Sequence, residues 1–133
     1  MTTATDTKSM TLKQPRFARY NNVDLDVFDR CTGFDWILAT PLFQHAGLTM
    51  IRRCLTSVRQ ILKPSGLLIA NFIECAEDSL TDEWVYPEIN GYRWATLAGL
   101  FTEAGLHCRK LDWPHPWQTW FVAAIDLRRL NNE

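Results

Sequence analysis

From Phe34 onward the chain alternates apolar runs with stripes of helical period. Trp36-Ile37-Leu38-Ala39 is a short run with little alternation. Leu48, Ile51, Leu55, Val58 and Leu62 then recur at helical spacing, and a second apolar run, Leu67-Leu68-Ile69-Ala70, follows the breaker Lys63-Pro64-Ser65-Gly66. Short continuous apolar runs mark strands buried on both faces, and the stripe between them marks an amphipathic helix, so the pattern predicts a βαβ unit with parallel strands. The first strand covers Phe34 to Thr40 and ends at Pro41, which has no N–H for a ladder. The helix runs from about Gly47 to Leu62 and exposes Arg52, Arg53, Arg59 and Gln60 on its solvated side. The second strand continues through Asn71, Phe72 and Ile73 to Glu74.

Cys75 to Asn90 loses all periodicity and turns acidic, a long loop of the kind that is often functional or mobile. Trp94, Leu97, Ala98, Phe101 and Ala104 return to helical spacing over about Tyr92 to Ala104, with Gly105 as the natural C-cap. Leu106 to Asp112 and Trp117 to Leu127 read as two strands. The short connection Trp113-Pro114-His115-Pro116 makes them a hairpin, so the last strand runs antiparallel to the rest. Upstream, Phe17, Tyr20, Val23, Leu25 and Val27 alternate weakly, predicting an extended segment. The resulting organisation is a tail over residues 1–15, one domain over 16–127 and a polar tail over 128–133.

Composition narrows the function classes. Fourteen basic and fifteen acidic residues give a net charge of −1 without a long block of one sign, which argues against an electrostatic nucleic-acid footprint. No apolar run approaches a bilayer span, and the Thr-rich start has no signal-type apolar core, so a cytoplasmic protein without a membrane anchor is expected. Cys31, Cys54, Cys75 and Cys108 never stand at CxxC spacing, and His45, His107 and His115 form no ligand motif with them. No metal site is therefore assigned, and the thiols read as small buried hydrophobes. Ligands of open α/β sheets sit at the carboxyl ends of the strands, which puts Thr40, Phe43, Gln44 and His45 at the rim of any site.

Phe34-Asp35-Trp36-Ile37-Leu38-Ala39, Phe43-Gln44-His45 and Leu62-Lys63-Pro64-Ser65-Gly66, followed by Leu100-Phe101-Thr102-Glu103-Ala104-Gly105-Leu106 and Trp120-Phe121-Val122-Ala123-Ala124, form an ordered series. That series resembles the C-terminal half of a class I S-adenosylmethionine-dependent methyltransferase. The resemblance implies a partial Rossmann-like sheet, mostly parallel, whose last strand inserts antiparallel between its two predecessors. It also implies roles: Thr40 and His45 near the transferred methyl group, Asp24 near adenine, and Trp84, Tyr86, Trp113 and His115 around the acceptor. Bland readings stand beside these: Asp24 as a solvated turn, His45 as a helix-flanking residue satisfied by backbone, Trp84 and Tyr86 as anchors of their loop.

The resembled family holds its cofactor with a glycine-rich turn after its first strand. Here Gly33, Gly47, Gly66, Gly91, Gly99 and Gly105 are all isolated, and no GxG exists. The expectation is a truncated methyltransferase-like protein that binds S-adenosylmethionine only if a partner supplies the missing half. The alternative is a non-enzymatic interaction module of the same origin. Right-handed crossovers stepping one way place both helices on one face of the sheet. The other face and the edge strand over 34–40 are then uncovered, predicting a homodimer or a partner subunit there.

Overall fold

The computed structural model describes residues 33–131; the tail and extended segment expected upstream lie outside that range. Among the described residues, five strands and three helices follow in the order β1 (Phe34–Ala39), α1 (Leu48–Ile61), β2 (Leu62–Glu74), β3 (Gly91–Tyr92), α2 (Trp94–Glu103), β4 (His107–Leu111), β5 (Thr119–Ala124) and α3 (Arg128–Asn131). The main sheet has the order β1-β2-β5-β4, and β3 adds a short parallel pairing to the end of β2. β1 and β2 are parallel, whereas β5 is antiparallel to both β2 and β4. The insertion of the last strand between its predecessors is thus present.

Strand alternation divides the core in two. Leu68, Ala70 and Phe72 of β2 and Phe121 and Ala123 of β5 face one side, where Ile51, Leu55 and Val58 of α1 and Leu97, Leu100 and Phe101 of α2 join them in one cluster. Phe121 is its hub, with Phe101, Phe43 and Phe72 rings at 4.9, 5.9 and 6.0 Å. The intervening residues, Leu67, Ile69, Val122, Ala124 and Leu111, face the opposite side and meet Leu130 of α3. Among the described residues α3 is the one helix on that face, and Trp36 and Leu38 of β1 stand 61% and 68% exposed beside it. Among the described residues, no helix is long and apolar enough to cross a membrane.

Three local readings change. Lys63-Pro64-Ser65-Gly66 is not a turn outside the strand: β2 starts at Leu62, and its pairing with β1 jumps from Phe34↔Leu62 to Trp36↔Leu67. The surplus residues form a bulge, where a proline without an N–H is tolerated. β5 is shorter than Trp117 to Leu127, because the N–H groups of Trp117 and Gln118 donate to His115 Nδ1 at 3.2 and 3.0 Å instead of joining the ladder. The polar stretch from Arg128 begins as α3, with Leu130 buried. Gly105 does follow α2 with φ +81°, the left-handed backbone that glycine adopts without strain.

Candidate functional site

The parallel strands β1 and β2 point their carboxyl ends at two loops, residues 40–47 and 75–90. The second is irregular, as its composition dictates, yet it is tied down along its length. Its backbone meets the first loop through Val85 N–H to His45 O at 2.9 Å and Asn90 N–H to Gln44 O at 2.7 Å. It also caps both long helices, neither of which has a side-chain cap of its own. Leu48 N–H, at the first position of α1, donates to Thr81 O at 3.2 Å, and Arg93 N–H, at the start of α2, donates to Asp78 Oδ1 at 2.8 Å. Each bond satisfies a donor that a helix start leaves open.

His45 sits between the loops and is buried. Its Nε2 lies 3.0 Å from Gln44 Nε2, and its Nδ1 lies 2.8 Å from Glu88 O. An amide nitrogen can only donate and a carbonyl can only accept, so the two bonds fit the tautomer with its proton on Nδ1 and Nε2 accepting. Gln44 Oε1 accepts in turn from Gln118 Nε2 at 2.6 Å, which joins the loop after β1 to the residue just before β5. Trp84 and Tyr86 flank the imidazole, with ring centroids at 5.3 and 5.0 Å. Beneath them Ala46 O accepts from both Asn90 Nδ2 at 3.1 Å and Tyr92 Oη at 2.6 Å. Burial pushes the Tyr92 hydroxyl up to about 12, opposed by its hydrogen bond with Asn90 and reinforced by Asp78 and Asp82, so it stays a donor.

A second aromatic group belongs to the β4–β5 connection. Trp113 packs on Trp120 at 5.5 Å, and His115 lies edge-on to Trp117 at 5.5 Å. At the carboxyl end of β2, Glu74 accepts from Lys110 Nζ at 2.6 Å and Thr119 Oγ1 at 3.0 Å. Asn71 Oδ1 and Gln118 Oε1 are buried without a hydrogen-bond partner among the described residues.

Of the residues singled out from the sequence, His45, Trp84 and Tyr86 come together, and Gln118 links their loop to the segment carrying Trp113 and His115. Thr40 is exposed at the end of β1. Asp24 lies outside the described residues. Phe43 is not at the rim: it is 1% exposed, stacked on Phe121 in the core. Gln118, Asn90 and Tyr92 carry the polar network without having been singled out. A lone buried amide has no sequence signature, and its partners are far away along the chain. No group of three or more His, Cys, Asp or Glu among the described residues is arranged to hold a metal ion.

No family model matches the sequence, and no curated protein does. Solved structures match its shape. A methyltransferase from Bacteroides fragilis, in complex with S-adenosyl-L-homocysteine, superposes with a TM-score of 0.58 at 16% identity over 93% of this chain and 60% of its own. The fold is methyltransferase-like. An S-adenosylmethionine-dependent methyltransferase from Clostridium acetobutylicum gives a TM-score of 0.61 at 11% identity over 90% of this chain and 69% of its own. The Burkholderia thailandensis 1,6-didemethyltoxoflavin-N1-methyltransferase gives 0.55 at 17% identity, covering 70% of this chain and 44% of its own. This methyltransferase-like chain therefore spans less than two thirds of two of these three proteins. The antiparallel β5 between β2 and β4 is the arrangement the resemblance implied.

Proposed function

We propose that this chain is a methyltransferase-type half domain that does not transfer methyl groups alone. The observation that carries the reading is the bonding of His45, whose two ring nitrogens are both spent on protein groups. A general base needs a free lone pair within reach of the proton it takes. His45 instead clamps the two strand-end loops together. The sequence adds that no GxG turn is available to bring backbone close to a cofactor's phosphate-free but carboxylate- and ribose-bearing body.

S-adenosylmethionine fits this chain only as a shared ligand. A second copy lacks the glycine-rich turn as well, so the missing half of a cofactor site would come from outside these 133 residues, paired along the outer edge of β1. Thr40, Trp84, Tyr86, Trp113 and His115 are then this chain's contribution around the methyl group and acceptor, with Asp24 toward adenine. The second reading, an interaction module that dimerises without cofactor, is favoured by one specific feature. Trp36 and Leu38 project from the edge strand largely exposed, and apolar side chains on an edge strand invite another chain.

Calorimetric titration of the purified chain with S-adenosylmethionine, with its mass in solution measured on the same sample, tests both readings. No saturable heat is expected. A stable dimer without binding selects the interaction module, whereas a monomer without binding leaves the half domain awaiting its partner. Saturable micromolar binding by the chain alone would overturn the proposal.

A further inference from the structure

We propose that the sheet face opposite α1 and α2 carries a binding site for a small amphipathic carboxylate. The site lies across the sheet face, shares only Trp113 with the acceptor residues proposed above and does not depend on the cofactor reading. Strand register builds its floor. Ile69 is paired with Val122 and Val122 with Arg109, so one row across the floor runs through two aliphatic side chains to a guanidinium. Leu67 extends the floor along β2. Above it lies an open depression of about 180 Å³, walled by Trp36 of β1 and Trp113 beyond β4 and bordered by Arg109 and Arg129.

The two guanidinium groups are held from the protein side. Arg109 Nε donates to Leu130 O at 3.1 Å, and Arg129 Nε donates to Ser65 O at 2.8 Å, which fixes the plane of each group. No carboxylate among the described residues lies within ion-pair distance of Arg129, although Arg128 beside it is paired with Asp126 at 2.9 Å. A planar guanidinium so fixed is suited to bidentate recognition of a carboxylate. Further along β2 on the same face, Asn71 is 1% exposed and its Oδ1 has no donor among the described residues, an acceptor next to Trp120 and its tilted neighbour Trp113. An apolar floor, two indole walls and the fixed Arg129 guanidinium at the border select a ligand with an apolar body and one anionic end. The volume falls below the roughly 300 Å³ at the lower limit of ordinary small-molecule pockets. That limits the occupant to a single ring or a short chain with its carboxylate, and a peptide strand or a helix does not fit inside it.

The test is calorimetric titration of the full chain with 4-phenylbutyrate and, as the uncharged match, 4-phenylbutanamide, repeated on Arg129→Gln and Trp36→Ala. Both replaced side chains are exposed, and the urea midpoint of each variant checks its fold. The proposal expects saturable binding of the carboxylate, weakened about tenfold or more by the amide and by Arg129→Gln, and weakened by Trp36→Ala for both ligands alike. Equal binding of amide and carboxylate, or unchanged binding to a folded Arg129→Gln, would reduce the face to a non-specific apolar surface and overturn it. Absence of saturation into the millimolar range would do the same.

Discussion

His45 illustrates why a residue type cannot declare its role. Its identity and its place after a strand suit a catalytic base, and the same identity and place suit a structural clamp. What decides is Gln44 and Gln118, the latter 74 positions away and invisible as a partner until the chain is folded. Replacing His45 with Ala leaves Glu88 O and the Gln44 amide without partners. Each buried group so stranded costs about 1–3 kcal/mol, and urea denaturation should show a loss of about 2–3 kcal/mol, with a comparable loss for Gln44→Ala, which strands His45 Nε2 and Gln118 Nε2 instead. The cysteines read alike in the sequence, as small buried hydrophobes, and among the described residues they are not equals. Cys75 is exposed, Cys54 is buried, and burial pushes the Cys108 thiol up to about 11. In a Cys31→Ser background, iodoacetamide at pH 8 should label Cys75 first and leave Cys54 and Cys108 intact in the native protein, as read by peptide mass. Because the folded thiol of Cys108 holds its proton more tightly than the free one, its stabilising contribution is complete below about pH 9 and fades as pH rises towards 11. Thermal melts across that window should flatten in Cys108→Ala.

Elements were the most legible level. The helical stripes and apolar runs located α1, α2, β1 and β4 closely, because amphipathic periodicity and burial act on contiguous residues. The bulge in β2 and the late start of β5 were not legible, since each depends on a neighbour: β1 for the bulge, His115 for the strand. The acidic loop was recognisable as irregular, but not as the cap of two helices. Gly47 shows how closely that loop packs, for a Cβ there would stand 2.2 Å from the Asp82 carbonyl carbon and 2.4 Å from Glu83 N. Gly47→Ala must push the loop away, and overpacking of this kind costs about 1–3 kcal/mol, measurable by urea denaturation, with faster proteolysis within residues 76–90. Asp78 gives the loop a pH signature. The Thr96 hydroxyl, at 2.6 Å, and the Arg93 backbone and guanidinium hold its carboxyl below the usual range. The stabilisation it brings is therefore present above about pH 4 and lost as pH falls through the lowered value. Asp78→Asn should remove that part of the acid dependence and lower the urea midpoint at pH 7.

At the scale of the molecule the sheet has two unlike faces. One is closed by α1 and α2 around Phe121; the other carries α3, two exposed residues of the edge strand and a border of guanidinium groups. This asymmetry was readable in advance, because apolar residues at successive positions of β1 and β2 require cover on both sides while the crossovers supply helices to one. How the strand ends close was not readable, and the functional account turns on it. The most direct measurement is a nitrogen-15 spectrum of the His45 imidazole, assigned by comparison with His45→Asn, recorded with and without excess S-adenosylhomocysteine. The account predicts a neutral ring protonated at Nδ1, with Nε2 accepting, unchanged when the ligand is added. A ring protonated at Nε2, or signals that move saturably with S-adenosylhomocysteine, would contradict the claim that this end of the sheet is a closed structural clamp.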